Sequence, residues 1–237
     1  MNILVANSRG AGMRELIPNS ILQRVIFRPG ARISSLGQIA TKSFIQSNSP
    51  SDTHVYIMAG IPDITTKLKS QNYEEVIYLE NPEITKSRVL NIYRETKNQL
   101  EKLKIKPIFC TISTMHLEKW NLTRQKQNKT THLKYSGQYG EMQKKLNAAI
   151  DEINNGIVHM NWEIGMHTPL LHKVIKHPKG RGRYNYEYNL LTDGVHGDPK
   201  AKTQWAYGIK QAANKNRSEE SEDEHESKRG WKRERFD

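Results

Sequence analysis

Short runs of apolar residues alternate along the chain with longer stretches in which apolar residues recur every three or four positions. A short apolar run bounded by Gly, Pro or polar residues is typical of a buried strand, above all in a parallel sheet. Five runs fit this description, and we predict a strand at each: residues 3–6, 24–27, 55–59, 107–112 and 157–160.

Helical spacing separates these predicted strands. It covers residues 33–45, 86–103 and 138–154, and a last helix is expected to begin near Asp198-Pro199 and to end near residue 212. Asp is a favoured helix cap, and Pro is tolerated in the first turn. Strands that alternate with helices predict an α/β fold, a three-layer sandwich in which helices cover both faces of a parallel sheet. Ligands bind such sheets at the carboxyl ends of the strands.

Distinctive residues follow three predicted strands and precede the last helix. They are Asn7-Ser8-Arg9-Gly10, Pro29-Gly30-Ala31, Gly60-Ile61-Pro62-Asp63 and Asp193-Gly194-Val195-His196. Each block alone has a bland interpretation, because Ser and Asp often cap helices and Pro-Gly often forms a turn. Together they supply a Ser, an Asp and a His, the side chains that nucleophilic acyl transfer requires.

The residue types suggest a role for each member of this set. Ser8 lies where the first strand leads into a helix, and His196 could accept its proton as general base. Asp193 is three residues before His196, close enough within one turn to orient the imidazole. Gly30 has no side chain to cover its backbone N–H, which could bind an oxyanion together with the N–H of Ser8.

The order and spacing of these blocks resemble the SGNH hydrolases, also called GDSL-like esterases. That superfamily has a flavodoxin-like fold with a five-stranded parallel sheet, and the resemblance covers residues 1–212. It implies that Ser8 is the nucleophile, His196 the base and Asp193 its partner. It also implies that backbone groups at Ser8, Gly30 and Gly60 lie around the oxyanion, that the substrate is a small ester or acylated molecule, and that no cofactor is needed.

Two blocks depart from the superfamily pattern. Asn7 replaces the Asp of Gly-Asp-Ser, which is a near-isosteric change. Pro62 replaces an Asn whose side chain donates to the oxyanion, and proline has no donor at all. Losing one such donor costs about 10²–10³ in rate. The site is therefore expected to be slow, rebuilt with another donor such as Arg9 or Asn161, or inactive on a scaffold retained for binding.

The chain is basic, with 37 Lys and Arg residues against 25 Asp and Glu and a formal net charge of +12. The excess lies in residues 1–213, the predicted hydrolase-like domain. Residues 214–237 form a predicted disordered charged tail, acidic from Glu219 to Glu226 and basic from Lys228 to Arg235. The charge favours an anionic partner such as nucleic acid, although lysines spread over a solvated surface would give the same total.

Two basic segments, residues 116–136 and 172–188, stand out against a minimal version of the fold. Lys and Arg interleaved with Gly and Tyr are typical of contacts to a nucleic-acid strand. Tyr184, Tyr186 and Tyr188 equally fit a half-buried strand of a hairpin, which we favour for the tyrosines. The candidate anion contacts are Arg9, Lys119, Arg124, Lys126, Lys129, Lys173, Lys176, Lys179, Arg181 and Arg183.

The sequence argues against several classes of protein. No apolar run approaches the roughly 18 residues of a membrane span, and the N-terminus lacks the basic region of a secretory signal. A single cysteine, Cys110, excludes a disulfide framework. The nine histidines show no metal-ligand spacing, so we expect no metal site. We expect an intracellular protein, cytoplasmic or nuclear.

Two functional hypotheses follow. The first is a serine esterase or deacylase with a partly degenerate oxyanion hole. The second is a weakly active or inactive protein of the same fold that binds nucleic acid. Some SGNH proteins are accessory proteins of mobile elements, and the basic composition and changed third block are similar to those.

Overall fold

A four-stranded parallel sheet lies at the centre of the fold and is covered by helices on both faces. The structure is a computed structural model that describes residues 1–46, 53–70, 73–127, 132–180 and 183–233. In chain order the strands are β1 (Asn2–Ala6), β2 (Arg24–Phe27), β3 (Thr53–Met58), β4 (Thr66–Ser70), β5 (Tyr73–Ile77), β6 (Ile105–Phe109), β7 (Lys176–Gly180) and β8 (Arg183–Tyr186). The helices are α1 (Met13–Leu16), α2 (Ile33–Gln46), α3 (Ile61–Ile64), α4 (Pro82–Glu101), α5 (Leu117–Lys126), α6 (Tyr139–Trp162) and α7 (Pro199–Arg233).

The central sheet has the strand order β2-β1-β3-β6, and every neighbouring pair is parallel. In the register of the sheet, Val5 of β1 lies opposite Ile26 of β2 and Ile57 of β3. Four of the five predicted strands are thereby confirmed, as are the helices expected over 33–45 and 86–103. The α/β class of the fold is confirmed with them.

Alternate residues of each strand enter opposite halves of the core. Ile3 and Val5 face the half that includes α2, α4 and α6, whereas Leu4 and Ala6 face the half that includes α1 and α7. This alternation follows from the two-residue period of a strand. The largest fully buried side chain of the second half is Trp205 of α7. Because both faces of β1, β3 and β6 are buried, these strands consist mostly of apolar residues, whereas β2 at the edge of the sheet is partly exposed.

The prediction of a fifth strand at residues 157–160 is wrong. These residues lie in the last turns of α6, and their apolar positions continue its helical spacing: Ile150, Ile153, Ile157 and Met160 are all buried. A short apolar run has the same appearance in a buried strand and at the end of a long helix. The described part of the central sheet therefore has four strands rather than five.

Side-chain amides of α6 cover the edge of β6 where a further strand would pair. Asn161 accepts from the Phe109 N–H at 3.0 Å and donates to the Phe109 carbonyl at 2.8 Å. Asn154 makes the same pair of bonds with Ile112, at 2.6 and 3.0 Å. Each amide offers a donor and an acceptor side by side, as a strand backbone does. Buried backbone groups at this edge are satisfied in this way without a fifth strand.

Helix α7 begins as predicted but ends much later. The Asp198 carboxylate accepts from the Ala201 N–H at 2.7 Å, as expected of a cap. The backbone then remains helical to Arg233, so the end predicted near residue 212 is wrong. Charged residues without apolar spacing gave no reason to extend the helix. The division into a domain of residues 1–213 and a tail of 214–237 stays a prediction.

Two antiparallel hairpins lie outside the central sheet. One joins β4 to β5, and sequence reasoning missed it because β4 is polar and mostly exposed and β5 begins with Tyr73-Glu74-Glu75. The other joins β7 to β8, which confirms a hairpin at Tyr184 and Tyr186. Tyr184 is exposed, however, and Tyr188 lies beyond the strand in a 3-10 turn. Within the described ranges, no helix combines the length and apolar character needed to cross a membrane.

Candidate active site

Ser8 is placed by a tight turn at the carboxyl end of β1. It is the first residue of a single 3-10 turn, Ser8–Gly10, and is half-buried. The Asn7 side chain accepts from the Arg9 N–H at 3.1 Å, and the Asn7 N–H donates to the Met58 carbonyl at the end of β3. Asn7 thus performs the capping role that an Asp would perform there. A Cβ at Gly10 would lie 2.3 Å from the Ala6 Cβ, so this turn requires glycine.

Asp193 and His196 form a hydrogen-bonded pair within one turn. Their Oδ2 and Nδ1 atoms are 2.7 Å apart, and Asp193 Oδ1 accepts from the backbone N–H groups of Val195 at 3.0 Å and His196 at 2.8 Å. Burial raises the pKa of Asp193, but these hydrogen bonds outweigh it and lower the pKa to about 2. The carboxylate is therefore charged at neutral pH and lies where it can accept a hydrogen bond from His196 Nδ1. The predicted pairing of these two residues is present.

The Asp193–His196 turn is packed tightly against α5. The Gly194 carbonyl accepts from the His116 N–H at 2.7 Å, and a Cβ at Gly194 would lie 2.6 Å from both the His116 carbonyl oxygen and the Trp120 nitrogen. Gly194 also has a positive φ of 92°, which favours glycine. The His196 ring lies 6.0 Å from the Trp120 ring, measured between centroids. The turn therefore has little freedom to move.

Arg9 connects the two halves of the site. Its Nε donates to the Val195 carbonyl at 3.1 Å, its Nη2 donates to the Thr114 carbonyl at 2.9 Å, and its Nη1 donates to the Ser113 carbonyl. Only 4% of Arg9 is exposed, so its prediction as an anion contact is wrong. Its hydrogen-bonding capacity is taken by backbone carbonyls. Among the described residues no hydrogen bond joins Ser8 Oγ directly to His196.

The blocks after β2 and β3 are also joined. Asp63 Oδ2 accepts from the Ile33 N–H at 3.1 Å, and Arg88 donates to the Asp63 carbonyl at 2.9 Å. Burial raises the pKa of Asp63 to about 6, against the opposing effects of the Ile33 N–H and of nearby Arg32 and Arg88. Asp63 thus fixes the start of α2, which follows Gly30 by three residues.

Gly30 and Gly60 differ in their surroundings. Gly30 is exposed, with φ at 69° and nothing within 4 Å of where a Cβ would stand, so the space beside its backbone is open. Gly60 is buried with φ at 128°, and a Cβ there would lie 2.4 Å from the Ile112 side chain. Pro62 occupies the first turn of α3 and offers no donor. Asn161 and Arg9, the candidate replacements, both donate to backbone carbonyls, so neither replaces the missing Asn.

Three more of the predicted anion contacts are used inside the molecule. Arg124 lies 3.0 Å from a Glu74 oxygen and 4.6 Å from the Trp120 ring centroid. Lys119 Nζ donates to the Leu191 carbonyl. Lys176 Nζ lies 2.7 Å from an Asp151 oxygen and 3.6 Å from the Tyr184 ring centroid. Each of these half-buried cations has a partner within the fold, and their assignment as anion contacts stays a prediction.

The remaining candidates divide into two groups. Four are exposed and stay predicted anion contacts: Lys126, Lys173, Lys179 and Arg183. Lys129 and Arg181 lie outside the described residues. Within the described ranges, no group of three His, Cys, Asp or Glu side chains is placed to hold a metal ion.

Sequence reasoning missed the structural role of a polar row on α6. Asn147, Asn154 and Asn161 follow one another at intervals of seven, which places them on one face of the helix. Asn147 accepts from the Thr114 hydroxyl at 2.7 Å, so the row supports the segment that leads from β6 towards Arg9. The seven-residue interval was a visible signal. The central position of Arg9 had none, because its partners are distant backbone carbonyls.

Comparison with known proteins rests on structure rather than sequence. No family profile matches the chain, and no curated protein sequence matches it. A GDSL-like lipase from Bacteroides thetaiotaomicron VPI-5482 superposes with a TM-score of 0.56 at 14% identity, over 90% of this chain and 87% of that one. A protein assigned as an acylhydrolase, from Bacteroides fragilis NCTC 9343, gives a TM-score of 0.55 at 15% identity over 90% and 86%.

A third structure agrees with these two. It is a protein assigned to the SGNH hydrolases, from Slackia heliotrinireducens, with a TM-score of 0.51 at 12% identity over 90% of this chain and 98% of that one. At such low identities the likeness speaks for the fold. Together with the parallel sheet and its helices on both faces, it shows that this chain has the SGNH hydrolase fold.

Proposed function

We propose that the chain is a serine hydrolase that cleaves carboxylic esters at Ser8. The observation that carries the proposal is the 2.7 Å pair between Asp193 and His196. A carboxylate on Nδ1 fixes the proton there, which leaves Nε2 unprotonated and basic. Asp193 orients the ring and stabilises the imidazolium that forms when His196 accepts a proton.

The reaction would proceed in two steps. Ser8 Oγ attacks the ester carbonyl while His196 Nε2 takes its proton, and the negative charge on the carbonyl oxygen is stabilised by backbone N–H groups at Ser8 and Gly30, beside Gly60. His196 then gives the proton to the departing alcohol, leaving acyl-Ser8. A water molecule, activated by His196, attacks the acyl group and releases the acid and free Ser8.

A fluorophosphonate probe tests this proposal without knowledge of the natural substrate. The probe forms a covalent bond with a serine that a nearby base activates, so we expect labelling of the wild-type chain and none of Ser8→Ala. His196→Gln should reduce the labelling rate by about 10³ or more, since the base is lost. Ser87→Ala, at an exposed serine of α4, is the matched control and should label like wild type. Equal labelling of Ser8→Ala and wild type would rule the proposal out.

Nucleic-acid binding is the second candidate function, and the exposure of four cations favours it. Lys173, Lys179 and Arg183 lie on or beside the β7–β8 hairpin, and Lys126 ends α5. Exposed Lys and Arg can neutralise phosphates, and this binding is salt-dependent. The suggested affiliation with mobile elements stays a prediction. The two functions are compatible, because none of the four exposed cations is among the residues assigned to catalysis.

A further inference from the structure

We propose that Arg9 is the positioning residue of this site, the group that sets where the His196 turn stands relative to Ser8. The inference rests on the proposed function, since it concerns the efficiency of the same serine and histidine. Arg9 immediately follows Ser8, and Val195 immediately precedes His196. The 3.1 Å bond from Arg9 Nε to the Val195 carbonyl therefore links the nucleophile to its base through two neighbouring residues.

The contacts of Arg9 join three segments that connect the strands and helices of the fold. One carries Ser8, one leads away from β6 through Ser113 and Thr114, and one is the Asp193–His196 turn. Arg9 reaches backbone carbonyls of the last two with three separate nitrogens. Its guanidinium carbon also lies 5.8 Å from the Trp205 ring centroid. A planar fork with several fixed donors is suited to hold several acceptors at once, and an ammonium is not.

The cost of burying this cation indicates that its position matters. Arg9 is 4% exposed, and the hydrogen bonds described for it end on carbonyls rather than on a carboxylate. Burial lowers its pKa to about 10, while Asp193 opposes this effect. The guanidinium is therefore still protonated at neutral pH. An apolar side chain would avoid the loss of hydration but could not hold the two loops in register.

The Val195 peptide transmits this constraint to His196. Its carbonyl accepts from Arg9, and its N–H donates to Asp193 Oδ1, as does the next N–H along the chain. The turn is thus held from one side by Arg9 and from within by Asp193. The described residues contain no direct bond from Ser8 Oγ to His196. The Arg9–Val195 bond therefore acts beside the packing of the turn against α5 in setting the distance between the two residues. A displacement of about 1 Å at a reacting group can cost about 10²-fold in rate.

The test compares fluorophosphonate labelling rates of the full chain with those of Arg9→Lys and Arg9→Met. We expect labelling at Ser8 to be about 10²-fold slower in both variants, because neither can bridge three carbonyls. The pH profile of labelling separates the loss of the hydrogen-bonding geometry from the loss of the positive charge. Arg9→Lys keeps the positive charge and should keep the midpoint of the profile. Arg9→Met removes a positive charge close to the Asp193–His196 pair. Removal of this charge favours the protonated form of His196, so the midpoint should move to higher pH.

Asn216→Ala is the control for a purely structural effect. Asn216 is buried on α7, accepts from the His167 N–H at 2.6 Å and donates to the Tyr56 hydroxyl at 3.1 Å. Its loss should lower the free energy of unfolding. The labelling rate should stay within about threefold of wild type, and the pH midpoint should not change. Rates are measured where circular dichroism shows each variant folded, and Arg9→Lys alone decides if Arg9→Met does not fold.

The outcomes separate this inference from the proposed function. Labelling that is lost in Ser8→Ala but within threefold of wild type in both Arg9 variants would overturn the positioning role and leave the hydrolase proposal intact. For Arg9→Met, a rate loss equal to that of Asn216→Ala, with no movement of the midpoint, would also overturn it. Labelling that persists in Ser8→Ala would overturn the proposed function itself.

Discussion

Pro62 occupies the position at which the SGNH pattern has its oxyanion-binding Asn. The neighbouring Gly60 and Asp63 keep their structural roles. Gly60 packs closely against the Ile112 side chain, and Asp63 accepts from the Ile33 N–H. The framework of the third block is therefore present, and only the donor is missing. Arg9 and Asn161 are engaged with backbone carbonyls, so neither of these two side chains replaces it.

Pro62→Asn should increase the rate of a serine esterase at this site. The new amide would supply the missing donor, and removal of such a donor elsewhere costs about 10²–10³-fold. We expect a gain of at least about tenfold in kcat/KM for p-nitrophenyl acetate, measured spectrophotometrically. Pro62→Ala is the matched control, because it frees the backbone equally but adds no donor. Equal rates for Pro62→Asn and Pro62→Ala would show that the hole is not completed from this position.

At the level of single residues, the sequence predicted the local pair and missed the long-range link. Asp193 and His196 are three positions apart, so one turn brings them together and the spacing alone was informative. Arg9 bonds to carbonyls more than 100 and 180 positions away, and a carbonyl carries no sequence signal. Its charge suggested a surface contact, whereas folding buries it.

Among the elements, α6 determines the edge of the sheet. Its row of asparagines lies against the chain that continues from β6, where Asn154 and Asn161 pair with Ile112 and Phe109. Without these amides, backbone N–H and carbonyl groups would be buried without partners. The helix therefore performs with side chains what a neighbouring strand would do with its backbone.

Asn161→Leu should destabilise the protein by about 3 kcal/mol, since two buried backbone groups of Phe109 lose their partners at about 1–3 kcal/mol each. Urea unfolding, followed by circular dichroism, measures the difference. Asn155→Leu, at an exposed position of the same helix, should change the free energy of unfolding by no more than about 0.5 kcal/mol. If the two variants unfold at the same urea concentration, the side-chain pairing does not support the sheet edge.

The length of helix α6 explains why the prediction of a fifth strand is wrong. The run 157–160 is apolar and short, but it continues the helical spacing set by Met142, Leu146 and Ile150. The conformational propensities of four residues alone could not distinguish a strand from the end of a helix. The length of the whole periodic segment, and the asparagines within it, decided for the helix.

Across the whole molecule, the positive charge is divided between internal and exposed uses. Four of the ten predicted contacts are bonded inside the fold, and the four exposed ones leave a smaller basic surface than the sequence suggested. The proposal of nucleic-acid binding therefore depends on a few side chains, mainly those of the β7–β8 hairpin.

The double variant Lys179→Gln, Arg183→Gln should reduce the salt dependence of binding to single-stranded RNA. If both side chains neutralise a phosphate, the slope of log K against log salt should fall in magnitude by about 1.4. Fluorescence anisotropy at several salt concentrations measures it. The control Lys42→Gln, Lys102→Gln removes the same charge from exposed positions elsewhere and should leave the slope nearly unchanged. An unchanged slope in the hairpin variant would exclude these two contacts.

The sequence by itself determined the α/β class, four of the strands, most helices and the Asp193–His196 pair, because each depends on periodicity or spacing within a few residues. The tertiary structure decided the number of strands in the sheet, the use of the basic residues and the position of Arg9 between Ser8 and His196. Those features depend on partners far apart in the chain, above all backbone carbonyls and amide edges, which every sequence contains and which only folding brings together.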